Sequence, residues 1–190
     1  MEFLKDISWN EVFRNWKNRE GGNPGWIKCA TEVKGWPDWE SWRKFSASLV
    51  HAKDRDWELY RFTDPMKEIP EMLVGPYMAW QKDLPKANVL SFDRFLDYPD
   101  KIRQFANHDG VAAIMQSLPF EASLIGLVRG DNKKIVCFEG NHTAVAVALA
   151  KRLGKEIDFS GVEVTIALAF IPEDEFYLFD TMLERGSEKR

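Results

Sequence analysis

The residues best equipped for chemistry stand in one run, Ile135-Val136-Cys137-Phe138-Glu139-Gly140-Asn141-His142-Thr143-Ala144. Its pattern is a strand, a glycine turn and a helix start. Such a start presents unpaired backbone N–H groups and the positive end of the aligned peptide dipoles, and a glycine before it lets an anion come close. The run therefore predicts a phosphate-binding loop over Gly140, Asn141, His142 and Thr143, with an imidazole, an amide and a hydroxyl as side-chain donors. Glu139, at the strand end, is placed to accept a proton or to ligate a metal, so Glu139 and His142 form the candidate catalytic pair. The plainer reading of the same residues is that Asn141 or Thr143 caps the helix and His142 is a hydrogen-bonded corner.

Other reactive constellations are absent from the sequence. His51, His108 and His142 show no HExxH spacing, and Cys29 and Cys137 lie far apart with no CxxC. Neither a structural zinc site nor a disulfide framework is indicated. There is no Gly-x-Ser-x-Gly elbow, Walker loop or paired-glycine dinucleotide fingerprint.

The loop needs elements to hold it. Residues 144–150 read AVAVALA, apolar all round, so the helix they form must be covered on nearly every side and stops at Lys151, Arg152 and Gly154. Before the loop, a hairpin pairs 124–129 with 133–139 across Gly130-Asp131-Asn132. After it, Val162, Val164, Ile166, Leu168 and Phe170 alternate as a strand. Residues 98–108 and 110–118 predict two helices, 89–92 a short strand and 173–185 a terminal helix with a frayed tail from Gly186. All eight tryptophans fall in the first 80 residues. There Ser8-Trp9-Asn10-Glu11 predicts a capping box opening one helix, and Pro37-Asp38 opens another. Trp9, Trp16, Trp39 and Trp42 sit at spacings expected of a buried stripe, and a stacking platform for bases or sugars is the less favoured use. Pro65, Pro70, Pro76 and Pro85 break the stretch that follows into short pieces.

Composition narrows the partners. The chain has 190 residues, 45% hydrophobic and 29% charged, in keeping with a soluble globular protein. Its net charge is −4, and residues 1–80 hold 12 basic and 13 acidic side chains against 14 and 17 in the rest. No basic arm exists, so strong non-specific binding to nucleic acid is not expected. The longest apolar runs, 143–150 and 164–171, fall well short of the ~18 residues of a membrane span, and the start has no signal-like apolar stretch. The expectation is a cytoplasmic protein without membrane association.

The stretch Phe138-Glu139-Gly140-Asn141-His142-Thr143-Ala144-Val145-Ala146 resembles the loop of the ParB/sulfiredoxin superfamily, with its strand, acidic or small residue, glycine, His or Glu, and Ala-rich helix. The resemblance spans roughly residues 86–170. It implies an α+β fold in which a small mixed sheet with packed helices forms a ParB/sulfiredoxin-like core over 86–172. A helical Trp-rich accessory segment over 1–85 and a C-terminal helix and tail over 173–190 complete the expected organisation. The resemblance also implies a nucleotide or phosphorylated small molecule as ligand, Mg²⁺ as its companion, and phosphotransfer or hydrolysis as the reaction. The departures are specific. Thr143 stands where family members carry Arg, removing a charge-assisted phosphate contact, and Asn141 stands where sulfiredoxins carry their cysteine, so no sulfinic-acid reduction is expected. Tyr98-Pro99 and Arg103 fall near the family's Asn-Pro…Arg box without matching it, and no room remains for a helix-turn-helix. An Arg103 or Arg129 reaching the loop would favour a working phosphate site. The alternative is a non-catalytic interaction protein that keeps the fold with a degenerate site.

Overall fold

A computed structural model describes every residue except Asp83, Pro85, Lys86 and Ser187. The expected break at Pro85 and the 85/86 boundary fall on residues outside that description. The chain runs β1 (Glu2–Ile7), α1 (Trp9–Glu20), α2 (Pro24–Lys28), a π-helical turn (Cys29–Val33), α3 (Trp39–Ser48) and β2 (Trp57–Arg61). It continues through α4 (Pro65–Glu71), α5 (Met78–Gln81), α6 (Phe92–Phe95), α7 (Pro99–Ala106) and α8 (Asp109–Ser117). The last elements are β3 (Ala122–Arg129), β4 (Ile135–Glu139), α9 (Asn141–Arg152), β5 (Val164–Ile171) and α10 (Tyr177–Arg185). The architecture is α+β.

The five strands form one mixed sheet in the order β1-β2-β5-β3-β4, with only β3 and β5 parallel. Strand β5 sits at its centre and is buried along its length except at Phe170, because both faces are covered. On one face Val164, Ile166 and Leu168 meet α9. On the other, the small Ala167 and Ala169 leave room for the tryptophans of the N-terminal helices. Helix α9 is buried from 144 to 150, as its apolar sequence requires, under α4, α6, α7 and α8. Among the described residues no helix is long and apolar enough to cross a membrane.

Several expectations are corrected. The N-terminal segment is not only helical: β1 and β2 extend the sheet beyond β5. Strand β1 exposes most of its side chains, so no apolar run announces it. The strand expected at 89–92 reduces to a single bridge between Ser91 and Leu73. Ser91 then caps α6 by accepting from the Arg94 N–H at 3.3 Å. At α1 the Ser8 hydroxyl accepts from the Glu11 N–H at 3.2 Å, but the Glu11 carboxylate turns to Lys5 Nζ at 2.8 Å, so the reciprocal half of the capping box is missing. The terminal helix begins later than expected, after a 3₁₀ turn at Glu173–Glu175. The tail is tied down: the Arg190 N–H donates to the Lys34 carbonyl at 2.8 Å, and Trp36 Nε1 donates to the Glu188 carbonyl at 3.3 Å.

Candidate functional site

The site is built on the junction between β4 and α9. Gly140 has φ +98°, in the left-handed region, and a Cβ there would lie 2.7 Å from Leu124 Cγ, so conformation and space both demand glycine. It serves as the N-cap of α9 with no side-chain cap. Asn141 is therefore not the cap. Its buried amide accepts from the Gly75 N–H at 2.9 Å and donates to the Cys137 carbonyl at 3.4 Å, pinning the segment before α5 to the edge of β4. Gln81 Nε2 donates to the Val74 and Gly75 carbonyls, and Tyr77 Oη donates to the Phe138 carbonyl at 3.1 Å. These bonds set Trp80 beside the first turn of α9.

A cavity of about 300 Å³ opens on that turn. Glu139, Asn141 and His142 line it, while Gly140 and Thr143 lie outside its lining. Its walls are Trp26, Trp42, Trp80, Phe105 and Phe138, and its other polar groups include Arg43, Lys34, Gln104 and His108. A larger cavity of about 600 Å³ lies on α1 and α3, away from the motif, and its Lys44 and Glu40 pair with each other at 2.6 Å. The smaller cavity is the one that meets the loop, and polar groups enter it between aromatic walls, as in many ligand sites.

The imidazole of His142 packs between aromatic rings, with centroids 5.1 Å from Trp80, 5.9 Å from Trp26 and 5.1 Å from His108. Burial, then the neighbouring His108, lowers its pKa to about 4. Near neutral pH His142 is an uncharged donor or acceptor and cannot act as an acid through an imidazolium. Glu139 meets Arg19 Nη2 at 3.6 Å and lies in hydrogen-bonding contact with Glu20. Burial, then Glu20, pushes its pKa up to about 8 against the pull of Arg19 and Arg43, so it holds a proton at neutral pH. Burial likewise raises the Tyr77 phenol and the Cys137 thiol, leaving both inert.

No family model, no characterised protein and no solved structure matches the chain.

The cations at this site, Arg43 and Lys34, come from the N-terminal layer. Arg103 pairs with Asp100 at 2.7 Å, and Arg129 pairs with Asp131 at 2.8 Å while its guanidinium lies 4.4 Å from the Phe176 ring centre. Neither lines the cavity. Arg43 does. Only 8% exposed, it rests on Trp42 with Cζ 4.0 Å from the ring centre and faces Trp16, Trp26 and Trp39 at 5.0, 5.1 and 5.9 Å. Its Nη2 donates to Glu20 Oε2 at 3.2 Å, and Trp16 Nε1 donates to the same oxygen at 2.9 Å. Among the described residues its Nε has no partner, nor do Trp39 Nε1 and Trp42 Nε1. The sequence reading missed Arg43, Glu20 and Arg19. One signal for Arg43 was present: Trp39, Trp42, Arg43 and Ser46 fall at i, i+3, i+4 and i+7 of one helix, all buried, so an arginine sits inside an apolar stripe.

Proposed function

We propose that this chain is a ParB/sulfiredoxin-like binding domain that holds the phosphate group of a nucleotide or phosphorylated small molecule at the first turn of α9. One observation carries the reading: the cavity joins that helix start to Arg43, a buried cation with an unbonded donor. The helix terminus offers backbone N–H groups, and Arg43 supplies the positive charge that Thr143 does not. With Glu139 neutral, Arg43, Arg19 and Glu20 leave an excess of positive charge around the loop, which favours an anion.

A magnesium ion does not fit at Glu139. Glu139 and Glu20 contact each other and are already met by Arg19 and Arg43, so a divalent ion would have to displace two guanidinium groups. Among the described residues no three His, Cys, Asp or Glu side chains are grouped to hold a metal. A protonated Glu139 and a His142 whose pKa is lowered to about 4 leave only a weak base at the loop, which favours binding without phosphotransfer or hydrolysis.

Thermal-shift and calorimetric titrations with inorganic phosphate and nucleoside monophosphates test the reading. Binding should raise the melting temperature by linkage. Thr143→Arg, restoring the family's cation at the helix start, should tighten inorganic phosphate about tenfold, the scale of a charge-assisted hydrogen bond. No binding by either form would contradict the proposal.

A further inference from the structure

The walls of the cavity differ in how they are held. Trp42 and Phe138 are core residues, at 5% and 1% exposure. Trp80 is partly exposed, but Phe105 stacks on it in parallel with centroids 5.0 Å apart, and Phe92 and Phe95 pack around it at 6.5 and 6.3 Å. Trp26 stands on α2, a helix of five residues of which none is buried. Asn23 caps that helix, its Oδ1 accepting from the Gly25 and Trp26 N–H groups at 2.9 and 3.3 Å. The other bonds of the segment are as local: the Asn23 N–H donates to the Glu20 carbonyl, Thr31 Oγ1 donates to the Ile27 carbonyl, and Lys28 pairs with Glu32. Among the described residues, no hydrogen bond or ion pair ties residues 22–28 to a part of the chain more than four positions away. Trp26 is the side chain of this segment that packs on the core. Its ring centre lies 5.9 Å from that of His142 and 6.3 Å from that of Trp42, and Arg43 Cζ lies 5.1 Å from it.

We propose that residues 22–28 are a lid on this cavity and that Trp26 is the residue that closes it over the bound anion. The proposal rests on the phosphate site above and adds its moving part. The argument is one of unequal anchoring. A segment with no buried residue and only local hydrogen bonds opens at small cost, whereas walls set in the core open only with the fold around them. The two ends of the segment fit a lid. At Gly22 a Cβ would meet nothing within 4 Å, so the chain pivots there without steric restraint. At the other end Ala30 is wholly buried and its carbonyl accepts from the Trp36 N–H at 2.9 Å, which fixes the chain again. The indole between these ends sits against Arg43 and His142, the side chains expected to meet the anion. A ligand reaches them when the indole lifts, and its return takes the anion out of water and strengthens the contact with Arg43. Trp26 thereby has a part distinct from the packing of Trp16, Trp39 and Trp42, which are all in the core.

The test uses the full chain with two probes, inorganic phosphate and GMP, whose binding is first measured by calorimetry. In the free protein the amides of residues 25–28 should exchange with solvent at least about tenfold faster than the buried stretches of α1 and α3, and a bound probe should slow them by about as much. Cys29, at the end of α2, lines the cavity and is partly exposed, while Cys137 is wholly buried, so an aromatic disulfide reagent reads Cys29 in the native chain. A bound probe should slow that reaction at least about tenfold. Trp26→Ala should weaken binding about tenfold, chiefly through faster release. It should lower the melting temperature far less than Trp16→Ala, which empties a wholly buried site. Calorimetric binding that leaves amide exchange and the Cys29 reaction unchanged would overturn the lid and leave the phosphate site standing. So would a loss of stability in Trp26→Ala as large as that in Trp16→Ala. Binding of neither probe would overturn the phosphate site and the lid with it.

Discussion

Helix α9 buries every residue from 144 to 150 and carries no charge before Lys151, whereas α3, on the opposite face of the sheet, buries Arg43 among tryptophans and leaves three donor atoms without partners. Both helices reach the same cavity. From 144 to 150 each side chain of α9 is apolar and matched to its surroundings, so this stretch specifies packing and little else. In α3 a charge is held in an aromatic layer at an energetic cost that packing alone does not require. Rules of stable packing are kept on one side of the loop and broken on the other, and the broken side is where the ligand is expected.

Removing the buried guanidinium should have the largest effect. Arg43→Met leaves Glu20 facing Glu139 without its cation and should destabilise the fold by about 3 to 5 kcal/mol, with much of the loss recovered by adding Glu20→Gln. Leu149→Ala, on the satisfied side, should cost about 2 to 5 kcal/mol through a cavity that no partner substitution at Glu20 can relieve. Chemical denaturation of Arg43→Met and Leu149→Ala, each alone and combined with Glu20→Gln, checks the contrast. Equal rescue of both by Glu20→Gln would erase it.

Gly140→Ala comes next. It places a side chain in the left-handed region against Leu124 and should lower stability by about 1 to 3 kcal/mol while displacing the first turn of α9. A variant as stable as the parent would show that the turn tolerates a Cβ.

The pH dependence of stability should be the gentlest signature and runs in two directions. The pKa of Glu139 rises from 4.5 to about 8 on folding, so its contribution is fully present below 4.5 and is lost as pH rises through 8. The pKa of His142 falls from 6.5 to about 4, so its contribution is present above 6.5 and is lost as pH falls through 4. Melting curves across pH should therefore lose their alkaline decline in Glu139→Gln and part of their acid decline in His142→Gln. Unchanged curves would mean that neither group is held away from water as described.

Much of this was legible in the sequence, for physical reasons that differ between elements. The apolar run of α9, the hairpin of β3 and β4, and the alternation of β5 each carry a local period that survives without tertiary information. Strands β1 and β2 do not: their partners lie far along the chain, and β1 shows most of its residues to solvent. The loop itself was readable from glycine and the polar residues after it. Its cation was not, because Arg43 reaches the cavity only after α3 folds across the sheet. Asn141 was misread for a related reason. Its position invited a cap, but its amide is taken by Gly75 and Cys137, contacts that only the tertiary fold creates.

The central claim is that one cavity joins the start of α9 to the Arg43 layer and binds a phosphorylated ligand there. A ¹H–¹⁵N titration with GMP tests it most directly, following the backbone amides of Gly140, Asn141, His142 and Thr143 together with the indole N–H groups of Trp26 and Trp42. We expect both sets to shift with a single dissociation constant. Shifts confined to the cavity of Trp9, Lys44 and His51, or an absence of shifts at the α9 turn, would contradict the account.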